Sequence, residues 1–133
     1  MPLFKPPGFL VKTMAFVLLL LSINSCTVPV SIPGFDSDEW KRDKHGCLSL
    51  RPKQRPVLET NKSQLKQLTS EQIIQLLGKP ERQELYSRSQ TFYFYAISPD
   101  EKCNDRDKTT DNNAYLQVRF NALGKSDEII FMD

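Results

Sequence analysis

The stretch from Thr69 to Pro80 (TSEQIIQLLGKP) holds a complete set of helix start and stop signals, and it constrains the fold more than any other part of the chain. Thr69 followed by Gln72 fits a capping box, in which each side chain answers the other residue's backbone amide. Ile73, Ile74, Leu76 and Leu77 form a broad apolar stripe at helical spacing. Gly78 is free to take the left-handed conformation after the last turn, and Pro80 cannot continue a helix. These signals predict a short helix over 70–77, whose stripe must be buried against something.

Beyond this helix the hydrophobic period changes to two. Thr91 to Ser98 (TFYFYAIS) is aromatic and β-favouring. Phe92, Phe94 and Ala96 share one face, and Tyr93, Tyr95 and Ile97 share the other. Both faces are apolar or amphipathic, which predicts a central strand. Tyr115 to Asn121 (YLQVRFN) alternates, with Leu116, Val118 and Phe120 inward and Tyr115, Gln117 and Arg119 outward. Ala122 to Lys125 reads as a turn around Gly124, and Ser126 to Met132 as the return strand. Between the first two strands, Pro99 to Asn113 is long and polar and reads as a surface loop.

Upstream of the helix the signals are weaker. Asp36-Ser37-Asp38 can cap a short helix over Glu39 to Lys44, with Trp40 as its apolar core or lid residue and Gly46 as its end. Arg51 to Pro56 (RPKQRP) reads as a solvated connector whose three scattered charges are a weak signal for phosphate or an acidic lipid head. Val57 to Leu68 reads as a helix with Leu58, Leu65 and Leu68 near one face. The expected domain is α+β in two layers, with two short helices packed on a three-stranded antiparallel sheet.

The amino terminus has the three parts of an export signal. Lys5 and Lys12 supply positive charge, and Met14 to Ile23 is apolar except for Ser22. Such a run suits a signal and is too short to span about 30 Å of hydrocarbon. Ile23-Asn24-Ser25-Cys26 then reads as a lipobox, with an aliphatic residue at −3, a small one at −1 and Cys26 as the lipid acceptor. The expected organisation is a lipoprotein signal peptide over 1–25, a flexible tether over 26–35, and one α+β domain over 36–133. A diacylated or triacylated Cys26 anchors the chain stably to a membrane. Thr27 is not Asp, so bacterial sorting rules point to the outer membrane of the cell envelope.

The signal also changes the charge balance. Two of the 18 Lys and Arg residues lie in it, so the remaining basic residues equal the 16 Asp and Glu in number. No basic field recommends nucleic acid as a partner. With Cys26 lipidated, Cys47 and Cys103 remain, and two cysteines in an exported chain suggest one disulfide. Such a bridge closes a long loop, worth roughly 4 kcal/mol in the chain-entropy picture. Free thiols are the alternative. A metal pair of His45 and Cys47 is disfavoured, because zinc wants four ligands and His45 is the only histidine. No triad, H-E-x-x-H, P-loop, paired-carboxylate or C-x-x-C motif stands out, so no catalytic residue, cofactor or small-molecule substrate is expected.

Three stretches together carry a resemblance: LTSEQIIQLLGKPERQ, TFYFYAI and LQVRFNALGKSDEIIF. A short helix ending Leu77-Gly78-Lys79-Pro80, the aromatic strand Phe92-Tyr93-Phe94-Tyr95, and Val118 to Phe120 followed by Gly124 resemble the SmpA/OmlA (BamE-like) lipoproteins. The same two-layer unit is similar to the repeats of β-lactamase-inhibitory proteins. The resemblance covers about Leu68 to Phe131. It implies a non-enzymatic, membrane-anchored protein-binding or scaffold module of the envelope, in the setting of outer-membrane assembly or maintenance. The alternative, by fold analogy, is an inhibitor or sensor of a periplasmic enzyme. The partner is expected to be another envelope protein. Tyr93, Tyr95, Tyr115 and Arg119 are the candidate contact residues, because Tyr and Arg are enriched at binding hot spots. The competing expectation is that Trp40 or the first helix covers the tyrosine face.

Overall fold

The computed structural model of the chain describes residues 28–103 and 113–133. The segment expected to be a signal peptide, Cys26 and the middle of the Pro99–Asn113 loop lie outside the described residues. Three short helices, α1 (Ser37–Arg42), α2 (Arg51–Thr60) and α3 (Ser70–Leu77), precede a sheet of four strands. The strands are β1 (Arg82–Tyr86), β2 (Gln90–Ala96), β3 (Tyr115–Phe120) and β4 (Ser126–Met132), and they pair antiparallel in the order β1-β2-β3-β4. The fold is α+β, with the helices on one face of the sheet.

The sheet therefore has one strand more than expected. β1 (RQELY) carries too few apolar residues to signal a strand, because it is an edge strand whose side chains are almost all exposed. Its turn into β2 is equally hard to read. Arg88 and Ser89 hold positive φ (62° and 56°) with no glycine to mark the site.

α3 forms as its signals require. The Thr69 hydroxyl accepts from Gln72 N–H at 3.2 Å, and Gln72 Oε1 accepts from Thr69 N–H at 2.9 Å. Ile73, Leu76 and Leu77 are buried. Gly78 ends the helix at φ 80°, ψ −175°, a glycine-only extended conformation rather than the left-handed helical one.

α2 departs most from expectation. The RPKQRP stretch is helical rather than a connector, and the α-helix ends at Thr60 instead of running on to Leu68. Leu50 supplies no side-chain cap. The cap comes instead from Asp43, which is wholly buried. Its Oδ2 accepts from Leu50 N–H (2.8 Å) and Arg51 N–H (2.9 Å), and its Oδ1 from Leu48 N–H (2.7 Å). A carboxylate at a helix N-terminus satisfies orphan donors and complements the helix dipole. Pro52 sits where no amide is needed. Pro56, inside the helix, forfeits one bond. Buried Arg51, Gln54 and Leu58 hold the helix down at three points despite that loss. Leu65 falls in a 3-10 turn (Lys62–Leu65) and is still buried.

α1 begins earlier than expected, at Ser37, with Asp36 Oδ1 accepting from Glu39 N–H at 2.9 Å. The folded region also begins before Asp36. Ile32 is buried in the core, and Val30 and Phe35 pack against it. Ile32-Pro33-Gly34-Phe35 closes a turn through Phe35 N–H to Ile32 C=O (3.1 Å), with Gly34 at φ 78°. Proline followed by glycine is the chemistry of such a turn, so the segment expected to be a loose tether is partly folded into the domain.

The core joins Trp40, Leu58, Leu65, Ile73, Leu76 and Leu77 of the helical layer to the inner sheet face. That inner face carries Tyr93, Tyr95, Leu116, Val118, Phe120 and Ile129. Trp40 is a core residue, and its Nε1 is buried without an acceptor among the described residues. Ser126 ties the Leu65–Thr69 link to β4: its hydroxyl donates to Leu65 C=O (2.6 Å) and accepts from Leu68 N–H (3.0 Å).

Asp43 serves three amides at once, so its loss should be large for one side chain. We expect Asp43→Ala to cost about 3 kcal/mol in urea unfolding, combining a lost cap with buried unmatched donors. Asp43→Asn, which keeps one acceptor oxygen, should lose roughly half as much. Equal losses for the two variants would contradict this account.

Candidate functional site

Arg51 is 1 % exposed and stands at the junction of α1, α2 and the α3–β1 connection. Its Nε donates to Trp40 C=O (3.1 Å), and its Nη1 donates to Ala96 C=O (2.7 Å) and to Glu81 Oε1 (2.9 Å). The guanidinium also lies 4.9 Å from the centre of the Trp40 ring. Glu81 Oε1 accepts in addition from His45 N–H (3.1 Å), and its Oε2 from Ala96 N–H (3.0 Å). The carboxylate is thus fully engaged. A buried charge pair is tolerated when further hydrogen bonds compensate for desolvation, and both partners meet that condition here.

The Lys44–Gly46 turn is pressed against the end of β2. His45 and Gly46 both have positive φ (59° and 69°). A Cβ on Gly46 would lie 2.5 Å from Ser98 O, so only glycine fits. His45 Nδ1 lies 2.7 Å from Asp100 Oδ2, and His45 C=O accepts from Asp100 N–H at 3.0 Å. Beside it, Cys47 and Cys103 form a disulfide, with Cα atoms 5.4 Å apart. The bridge joins the segment carrying Lys44 and His45 to the segment carrying Lys102.

In front of this network is a cleft of roughly 400 Å³, lined by the Arg51–Glu81 pair, His45, Leu77, Gly78, Pro80 and four lysines. The lysines are Lys41, Lys44, Lys79 and Lys102, and none has an acidic partner among the described residues. They come from α1, the turn after it, the α3–β1 connection and the start of the loop after β2. In sequence they are scattered among acidic residues and read as a solvated surface, and only the weak phosphate signal of RPKQRP pointed here, through Arg51. No group of three His, Cys, Asp or Glu side chains suited to a metal occurs among the described residues.

The second exposed feature is the outer sheet face, on which no described helix packs. By register it carries Arg82, Glu84 and Tyr86 of β1, Phe92 and Phe94 of β2, Tyr115, Gln117 and Arg119 of β3, and Glu128, Ile130 and Met132 of β4. Arg82 lies 4.0 Å over the Phe94 ring and 5.8 Å from that of Tyr115. Tyr86 and Phe92 stack with centroids 4.9 Å apart. Arg119 pairs with Asp127 (2.9 Å) and Glu128 (3.0 Å) at a bulge in β4.

The four expected contact residues therefore divide. Tyr115 and Arg119 are half-buried on the outer face. Tyr93 and Tyr95 point into the core, Tyr95 wholly buried and Tyr93 with only an edge exposed, so they are not part of the outer face. The helices cover that face because its rows continue those of Leu116 and Val118. Tyr95 is anchored by a 3.0 Å bond from its hydroxyl to Gly78 C=O. Burial, with smaller effects from Tyr93 and Glu81, holds its phenol far above the ordinary range. Burial also raises Tyr115, and the hydrogen bond to Asp127 raises Arg119.

Arg51→Met should cost about 3–5 kcal/mol, because Glu81 is left charged and buried, and adding Glu81→Gln should recover part of that loss. A double-mutant cycle by chemical denaturation measures it. Tyr95 is raised in the folded state, so its contribution is intact below the unfolded phenol pKa of about 10 and is lost as pH rises above it. Stability should therefore fall by about 1.4 kcal/mol per pH unit above about pH 10 from this group alone. Tyr95→Phe should remove that one-proton slope.

No protein-family model, curated protein or solved structure matches this chain.

Proposed function

We propose that this chain is a lipid-anchored protein of the bacterial cell envelope, of the SmpA/OmlA type, that acts as a non-enzymatic protein-binding or scaffold module. In this reading Cys26 carries the lipid and holds the domain at the outer membrane, in the setting of outer-membrane assembly or maintenance. The partner is another envelope protein. The observation that carries the reading is the uncovered outer sheet face. An apolar and aromatic row (Tyr86, Phe92, Tyr115, Ile130, Met132) is interleaved there with Arg82 and Arg119. Aromatic and arginine side chains on a preformed, rigid surface are the usual anchors of a protein interface. The disulfide accords with an oxidising compartment. No described helix is long and apolar enough to cross a membrane, so in this reading attachment falls to the lipid on Cys26.

A photo-crosslinking amino acid placed at Phe92 or Tyr115 should capture one and the same envelope protein in cells. The same probe at Lys53, exposed on α2, should not. Arg82→Glu should weaken the capture at both sheet positions. Identical products from all three positions, or none from the sheet, would remove the basis of the reading. Cys26→Ser should abolish incorporation of labelled palmitate.

A further inference from the structure

We propose that the lysine-rimmed cleft is a binding site for a phosphate-bearing ligand with more than one negative charge. The site is separate from the outer sheet face and does not depend on the protein-binding reading.

Four lysines from separate segments line the cleft with no carboxylate paired to them among the described residues. Glu81 is the one acidic residue among the described residues that line it, and both its oxygens are already occupied by Arg51 and two backbone amides. Among the described residues that line the opening the fixed charge is therefore positive, although basic and acidic residues are equal in number over 26–133. A cleft lined by one sign of charge, backed by a low-dielectric wall, concentrates counter-ions of the opposite sign.

Arg51 supplies a second, independent observation. Nε and Nη1 take acceptors, yet Nη2 has none among the described residues, although the side chain is almost wholly buried and borders the cleft. Nη2 is not among the buried unmatched atoms, so it keeps access to solvent and is free to donate to a ligand or water in the cleft. Lys41 is also held in place. Its stem packs on Gly78, where a Cβ would come within 3.2 Å of Lys41 Cγ, so the backbone that ends α3 helps to aim it.

The side-chain types select the ligand. Lysines reaching in from four different segments act as point charges, which suits the several outward oxygens of phosphate better than a planar carboxylate. The apolar lining is confined to Leu77, Pro80 and the lysine stems, which leaves little for an acyl chain. The charge exceeds what a singly charged phosphodiester would neutralise. A compact pyrophosphate or phosphate monoester fits better. The Cys47–Cys103 bridge holds the Lys102 wall to the Lys44 wall, so the site is complete only in the oxidised chain.

Isothermal titration of the full-length protein in detergent, at low ionic strength, tests this. Inorganic pyrophosphate should bind saturably at one site, glycerol 3-phosphate more weakly, and a deacylated glycerophosphodiester headgroup least. Lys44→Ala with Lys102→Ala, both exposed residues, should weaken pyrophosphate binding about tenfold, whereas Lys53→Ala with Lys66→Ala should not. Circular dichroism verifies that both pairs fold. Binding of the diester alone, with the same loss in the cleft pair, would assign the phosphate to a lipid headgroup and overturn the polyvalent ligand. Absence of saturation with all three phosphates, or equal loss in the control pair, would overturn the site.

Discussion

The fold depends on how Arg51 is accommodated. A guanidinium out of water is tolerable only when its donors and its charge are answered, and the answers come from distant parts of the chain. Trp40 C=O comes from α1, Ala96 C=O from the end of β2, and the Glu81 carboxylate from the step into β1. Each interaction fixes one segment against α2. Because Glu81 also receives the amides of His45 and Ala96, the same charge pair sets the Lys44–Gly46 turn and the start of the β1–β2 hairpin. Asp43 performs the same service for the N-terminus of α2, without an ion pair.

These polar constraints explain where the cleft lies. The elements that meet at Arg51 also end there, so their solvent-facing lysines open onto a common space. The disulfide adds the loop after β2 to that rim. The two exposed features thus differ in kind. The cleft is a by-product of a buried charge cluster and is lined by four lysines. The outer sheet face arises from the two-layer architecture, which leaves one side of the sheet without helices among the described residues, and its charges are mostly paired.

Much of the fold was legible wherever a local pattern is enough. The capping box and stripe of α3 rest on residues three and four apart, and they formed as expected. Alternation identified β3 and its inward residues, because one side of the sheet is covered and the other is not. β1 and α2 were not legible, for a shared reason. β1 is stabilised by pairing with β2 rather than by its own composition, and its turn uses Arg88 and Ser89 where glycine would have been a signal. α2 is capped by a residue eight positions upstream rather than by a neighbour. The candidate site was legible only in fragments, since nothing local marks Lys41, Lys44, Lys79 and Lys102 as a group.

The sequence by itself determined the α+β class, the short capped helix and the central aromatic strand, and it suggested a Cys47–Cys103 bridge with free thiols as the alternative. Each depends on short-range periodicity or on simple counting. The tertiary structure decided which face of β2 is buried. It turned Tyr93 and Tyr95 toward the core and left Tyr115 and Arg119 half-buried on the outer face. It also turned a polar, proline-containing stretch into a helix and gathered dispersed lysines around one cleft. Those outcomes depend on desolvating charge and aromatic surface against partners far away in the chain, and no window along the sequence contains both sides of such a contact.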